Sequence, residues 1–158
     1  MHRILHLWLP LLLLAAGGCG FRLQGTTSLP PVLVSMRVQA ADSQTDFAQA
    51  LESELRRAGV SAAEGGAVLR IERDELLERV ASVSARNVPR EYELTYVVRY
   101  SLSLQGQTRI EAEEVSVSRD FSFDETAALA KDRERDLLRE ALARELAGVV
   151  LARLSSVR

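Results

Sequence analysis

Tyr92-Glu93-Leu94-Thr95-Tyr96-Val97-Val98-Arg99-Tyr100-Ser101-Leu102-Ser103-Leu104 is the stretch that decides the fold. Tyr92, Leu94, Tyr96, Val98, Tyr100, Leu102 and Leu104 share one parity. Glu91, Glu93, Thr95, Arg99, Ser101 and Ser103 share the other, with Val97 the exception. Strict period-two alternation describes a strand with one buried and one wet face, which antiparallel sheets allow. The three tyrosines therefore read as core residues.

Working outward, Gln105-Gly106-Gln107 forms a hairpin loop into a strand from Thr108 to about Phe123. There Ile110 and Ala112 share one parity, and Val115, Val117, Phe121 and Phe123 the other. The phase changes at Glu113-Glu114, which predicts a bulge. Upstream, Ala67 to Ala85 alternates at Leu69 and Ile71 and again from Val80. The break at Asp74-Glu75-Leu76-Leu77 predicts a second bulge or bend. Arg86-Asn87-Val88-Pro89 is the turn between these strands.

The flanks read as a strand and two helices. Val32 to Val38 is short and β-branched, a first strand. Ser43-Gln44-Thr45-Asp46 resembles a capping box with Ser43 as N-cap. Phe47, Leu51 and Leu55 then mark one helical stripe, and Gly59 supplies the left-handed position that stops it. Asp124 is placed to cap a last helix over 125–154. Leu138, Leu142, Leu146, Val149 and Val150 are its buried side, closed by Leu154. That helix spans about 45 Å, longer than the strands expected, so its charged start, Lys131 to Asp136, overhangs the sheet. The order β-α-β-β-β-α predicts an α+β two-layer sandwich: a four-stranded mixed sheet with both helices packed on one face.

The N-terminus has the three parts of an export signal: Met1-His2-Arg3, an apolar run from Ile4 to Ala16, then Gly17-Gly18 before Cys19. The run is too short to span a bilayer, which takes roughly 20 residues. Ala16-Gly17-Gly18-Cys19 resembles the lipobox of bacterial lipoproteins. That likeness implies cleavage before Cys19, diacylglycerol on its thiol and a further acyl chain on the new amine. Two acyl chains tether firmly where one is marginal. Gly20, in the place where Asp retains lipoproteins in the inner membrane, implies by analogy an outer-membrane destination. Residues 1–18 are then the signal peptide, 19–31 a tether stiffened by Pro30-Pro31, and 32–158 one domain.

Cleavage of 18 of the 158 residues leaves 140 and removes both histidines, the single Trp and Arg3. Lys and Arg fall from 20 to 19 against 22 acidic residues. Without His or a free thiol there is no Ser-His-Asp triad, no Cys-His pair and no His or Cys metal site. Gly59, Gly65 and Gly66 fit no phosphate-loop spacing. The acidic balance argues against nucleic acid. No cofactor is expected apart from the covalent lipid, and no metal.

Several segments together resemble a family. They are Cys19-Gly20-Phe21-Arg22-Leu23-Gln24-Gly25, Arg90-Glu91-Tyr92-Glu93-Leu94, Arg119-Asp120-Phe121-Ser122-Phe123-Asp124, and Leu129-Ala130-Lys131-Asp132 opening a helix closed by Ala152-Arg153-Leu154. In this order they are similar to the LPS-assembly lipoprotein family LptE, also called RlpB. The resemblance implies a non-enzymatic outer-membrane protein that pairs one-to-one with the large β-barrel LptD. Such a protein sits in the barrel as a plug, helps it assemble, and binds lipopolysaccharide for delivery to the outer leaflet.

Lipid A carries phosphates, which Arg grips with two N–H groups and Lys meets as a point charge. By resemblance, Lys131, the only lysine, and Arg86 at the second hairpin's tip fall at basic positions of the family. Sequence logic makes Arg90 and Arg119 neighbours, a further basic pair. Each of the four also reads as an ordinary surface charge. Two other functions compete: a generic outer-membrane-anchored accessory lipoprotein of another exporter, and an envelope hydrolase working through two facing carboxylates.

Overall fold

The computed structural model describes residues 28–62, 66–122 and 128–157, with the side chains of 128–130 left out. Cys19, the signal, most of the tether, and the expected cap Asp124 lie outside the described residues. Four strands and two helices form the frame: β1 (Met36–Gln39), α1 (Asp46–Arg57), β2 (Ala67–Val83), β3 (Pro89–Leu104), β4 (Gln107–Ser122) and α2 (Ala128–Ser155). The sheet order is β1-β2-β3-β4, with β1 parallel to β2 and the other pairs antiparallel. This is the mixed four-stranded α+β sheet that the alternation predicts.

Both helices lay their apolar sides on the tyrosine face. Phe47, Leu51 and Leu55 from α1 and Leu142, Leu146, Val150 and Leu154 from α2 are buried with Leu94, Tyr96, Val98, Tyr100 and Leu102 of β3. Removing that apolar area from water supplies the main favourable term in folding. Val97 points to the open face and is nevertheless 6% exposed. Its cross-strand neighbours Glu75 and Ser116, with Arg99 and Glu114 one step along, fence it off.

Several local expectations change. The chain does not enter a strand at Val32: Pro31–Leu33 is a 3-10 turn, closed by Leu33 N–H donating to Pro30 O at 2.8 Å. Pro31 at the first position fixes φ for a turn, and the strand starts only at Met36. Leu29, read as tether, is part of the core. The N-cap of α1 is Thr45, not Ser43: the Thr45 hydroxyl accepts from Ala48 N–H at 3.1 Å and also donates to Asp74 of β2. That tertiary partner settles which residue of the polar run caps the helix. Gly59 does stop it, at φ 81°, with Gly59 N–H donating to Arg56 O and Val60 N–H to Leu55 O.

The bulges exist but sit earlier. In β2 the register shifts between Ile71 and Arg73, so Glu72 is the extra residue and the helix-facing parity passes from Leu69 and Ile71 to Asp74 and Leu76. In β4, Leu102 pairs with Ile110 while Tyr100 pairs with Glu113, so Glu111 and Ala112 oppose Ser101 alone.

The last helix does not outrun the sheet. Its 28 residues span about 42 Å, whereas the 17 residues of β2 span about 56 Å, because a strand rises more than twice as far per residue. Its charged start lies over the far end of the hairpins, where Arg135 Nε meets Glu78 Oε2 at 2.7 Å. Val149, expected on the buried side, is 41% exposed, and Ala143 and Ala147 take that contact instead.

Candidate functional site

The β2–β3 hairpin carries its turn well past the main core. Ser84 N–H donates to Val88 O at 2.7 Å, Asn87 N–H donates to Ser84 O at 2.9 Å, and Asn87 adopts φ 61°, a left-handed value that Asn tolerates. Around this tip Val80, Val83 and Val88 are exposed. Arg86 and Arg90 are exposed as well. Among the described residues neither guanidinium has an ion-pair or hydrogen-bond partner. The tip is therefore apolar, cationic and free to meet a ligand.

Lys131 and Arg119 are differently placed. Lys131 stands in the first turns of α2, its side chain 17% exposed, with Nζ 2.6 Å from Glu134 Oε2 and 3.4 Å from Ser122 Oγ. It lines a recess of about 120 Å³ with Glu78, Tyr92, Phe121, Asp132 and Arg135. Tyr92 and Phe121 stack there at 5.6 Å. A phosphate reaching Lys131 would have to displace Glu134. Arg119 lies on the helix side of β4, opposite Leu94, and its Nη2 donates to Glu145 Oε2 at 2.6 Å. Arg90 precedes Leu94 by four residues, about 13 Å of strand. The four basic candidates thus split into a free pair at the tip and two residues held by helix carboxylates. Arg119 is not a neighbour of Arg90. The free valines at the tip were missed in the sequence. Their signal was apolar residues next to a turn that lacks acidic companions.

The open face of the sheet is a polar lattice. Arg79 grips Glu93 with two bonds, Nε to Oε1 at 2.7 Å and Nη2 to Oε2 at 2.9 Å. That fork holds the Glu93 carboxyl below its ordinary range, and Thr95 adds a further hydrogen bond. Arg73 reaches Glu75 and Glu114, and Ser101 donates to Glu72.

Beneath the helices sits one buried polar knot. Tyr96 Oη donates to Asp74 Oδ1 at 2.8 Å and accepts from Phe47 N–H at 3.3 Å. Burial, and then Asp74, raise the Tyr96 phenol well above its usual range. Tyr100, fully buried, has no partner for its hydroxyl among the described residues, and burial pushes it up to about 12. Arg139 Nε lies 2.7 Å from Asp46 Oδ2, an ion pair out of line with the N–H rather than a hydrogen bond. No cluster of three metal-binding side chains occurs among the described residues, and none of their helices is long and apolar enough to cross a membrane.

Residues 33–154 match the family model described as LptE: Lipopolysaccharide-assembly. The chain belongs to the LptE family. It is 30% identical over 158 residues to the LPS-assembly lipoprotein LptE of Yersinia enterocolitica, covering 97% of this chain and 76% of that one. The Yersinia pestis LptE is 29% identical over 161 residues, covering 99% and 77%. Among solved structures, rare lipoprotein B of Shewanella oneidensis superimposes with a TM-score of 0.68 at 27% identity, over 77% of this chain and 94% of that one. Lipoprotein B of Nitrosomonas europaea gives 0.73 at 22% identity, over 87% and 91%, a likeness of fold. As a member of that family, the protein is an accessory lipoprotein of lipopolysaccharide assembly and not an enzyme.

Proposed function

We propose that this chain is acylated at Cys19 after loss of residues 1–18. The segment 19–31, whose Leu29 already packs into the core, then tethers it to the outer membrane's periplasmic side, and the domain over 32–158 partners the LptD β-barrel one-to-one as plug and assembly factor. In that complex it binds lipopolysaccharide and helps place it in the outer leaflet. The observation that carries the lipid part is the hairpin tip: unpaired Arg86 and Arg90 beside exposed Val80, Val83 and Val88. An anionic amphiphile offers phosphates to the first group and acyl chains to the second. Lys131 and Arg119 contribute beside the base of that tip, where Ser122 pairs with Glu91, once their carboxylate partners yield.

The open polar face suits a barrel interior, since barrel lumens are polar. The test has two arms. Tagged protein pulled from detergent-solubilised outer membranes should bring a stoichiometric large β-barrel with it. Arg86→Glu together with Arg90→Glu should weaken lipopolysaccharide binding about tenfold or more while leaving barrel capture intact, because charge-assisted contacts contribute about 1.5–3 kcal/mol each. Recovery of the lipoprotein alone would refute the partnership, and unchanged lipid binding would refute the tip.

A further inference from the structure

β1 ends the sheet on one side, and its outer rim is built to receive a strand. The hydrogen bonds at its start fix which way each backbone group faces. Ser35 O accepts from Ala67 N–H at 2.9 Å, toward β2. Val34 O and Met36 N–H bond instead to Ser61, at 2.8 and 3.1 Å, on the opposite side. Backbone groups alternate in direction along a strand, so Arg37 and Gln39 face β2, while Met36 C=O and both groups of Val38 face outward. Ser61 already occupies the first outer position, as a one-residue parallel bridge to Ser35. The protein thus begins a fifth strand at this edge, and Val38 stands next in line.

Alongside that edge runs a groove of about 880 Å³ between β1 and α1, lined by Met36, Val38, Ala48, Leu55, Val60 and Gln49 among others. Met36, Ala48 and Leu55 are buried at its floor. A strand added at the edge would send alternate side chains into this groove and the intervening ones to the open face. On that open face β1 presents Arg37 and Gln39, with Arg70 across from Gln39. Arg70 only touches Gln39, at 3.5 Å, and the Arg37 guanidinium has no partner among the described residues.

We infer that the β1 edge and the β1–α1 groove bind an extended segment of a partner protein, added as a strand, with apolar residues on the groove side alternating with acidic residues facing Arg37 and Arg70. Main-chain bonds would supply affinity and the alternate side chains specificity. The charge decides against a second copy of this chain. Two β1 strands paired about a two-fold axis would bring their own Arg37 side chains together on one face, a like-charge contact that disfavours pairing. The inference stands apart from the lipopolysaccharide and barrel readings, since it uses neither the hairpin tip nor the open face as a whole.

The experiment uses the full chain in detergent, labelled with nitrogen-15, and three acetylated peptides of about seven residues. One alternates valine and glutamate, one alternates valine and lysine, and one is the first with alternate backbone nitrogens methylated. The glutamate peptide should slow hydrogen exchange at the Val38 amide and shift its resonance, and the methylated peptide should do neither. Arg37→Glu, a surface change, should weaken the glutamate peptide by about three- to fivefold, as for an exposed ion pair, and reverse the preference toward lysine. An unaltered Val38 amide at millimolar peptide would overturn the inference, as would equal binding of the methylated peptide or protection confined to β4. Val38 protected without any peptide, in a chain that sediments as a dimer, would also overturn it in favour of self-pairing.

Discussion

Tyr96 and Tyr100 sit four residues apart on the same face of β3, and removing their hydroxyls should move stability in opposite directions. Tyr96 Oη is engaged with Asp74 Oδ1 at 2.8 Å and Phe47 N–H at 3.3 Å. A hydrogen bond to a charged acceptor contributes about 1.5–3 kcal/mol, so Tyr96→Phe should cost about that much. Tyr100 is fully buried and its hydroxyl is unpaired. Burying such a group without a partner costs about 1–3 kcal/mol, and Tyr100→Phe keeps the ring while removing the penalty. The variant should therefore be more stable than the parent by up to that amount. For a domain of this size each kcal/mol moves Tm by about 3–5 °C. Urea unfolding followed by circular dichroism measures both changes, with the slope against urea unchanged so that the midpoint alone reports stability. A Tyr100→Phe chain less stable by more than about 1 kcal/mol would mean the hydroxyl has a partner after all, and the accounting for β3 would fail.

The Tyr100 phenol is raised to about 12 and the Tyr96 phenol is raised further. Both stay protonated in the fold while the unfolded chain ionises near 10. Stability is therefore independent of these two groups' titration below about pH 10 and falls as pH climbs from there through the folded values, at about 1.4 kcal/mol per pH unit per group. Phenolate absorbance should show late ionisation coincident with alkaline unfolding, and a Tyr96→Phe, Tyr100→Phe chain should lack that late phase. A Cβ on Gly66 would lie 2.1 Å from Ser35 O, so Gly66→Ala should cost about 2–3 kcal/mol by forcing β1 from β2. Gly148, with open space around it in α2, should gain about 0.5–1 kcal/mol on replacement by Ala. Thr45→Ala should cost about 1–2 kcal/mol by losing the cap, whereas Ser43→Ala should change stability by less than about 0.5. Thermal melts of the four single variants distinguish these outcomes.

Much of this fold was legible in the chain. Period-two alternation from Tyr92 to Leu104 sets strand, faces and core in one reading, because side chains on a strand must alternate. The stripe of α1, its Gly59 stop and the loop at Gly106 are likewise local signals. Family membership was legible too, in Arg90 to Leu94, Arg119 to Asp124 and Lys131 with Asp132. What the residues by themselves left open depended on distant partners. Thr45 rather than Ser43 caps α1 because Asp74, 29 residues on, holds its hydroxyl. The bulges sit at Glu72 and at Glu111-Ala112 because cross-strand register, not parity along one strand, chooses the extra residue.

The basic candidates divide in the same way. Residue type names Arg86, Arg90, Arg119 and Lys131 as anion ligands, yet only the packed structure hands Glu145 to Arg119 and Glu134 to Lys131 and leaves the tip pair free. Sequence alone determined the strands, the helices and the kind of chemistry available. Tertiary structure decided which charges are already neutralised and which backbone edge is still open among the described residues, because ion pairing and strand pairing are settled by neighbours in space and not along the chain.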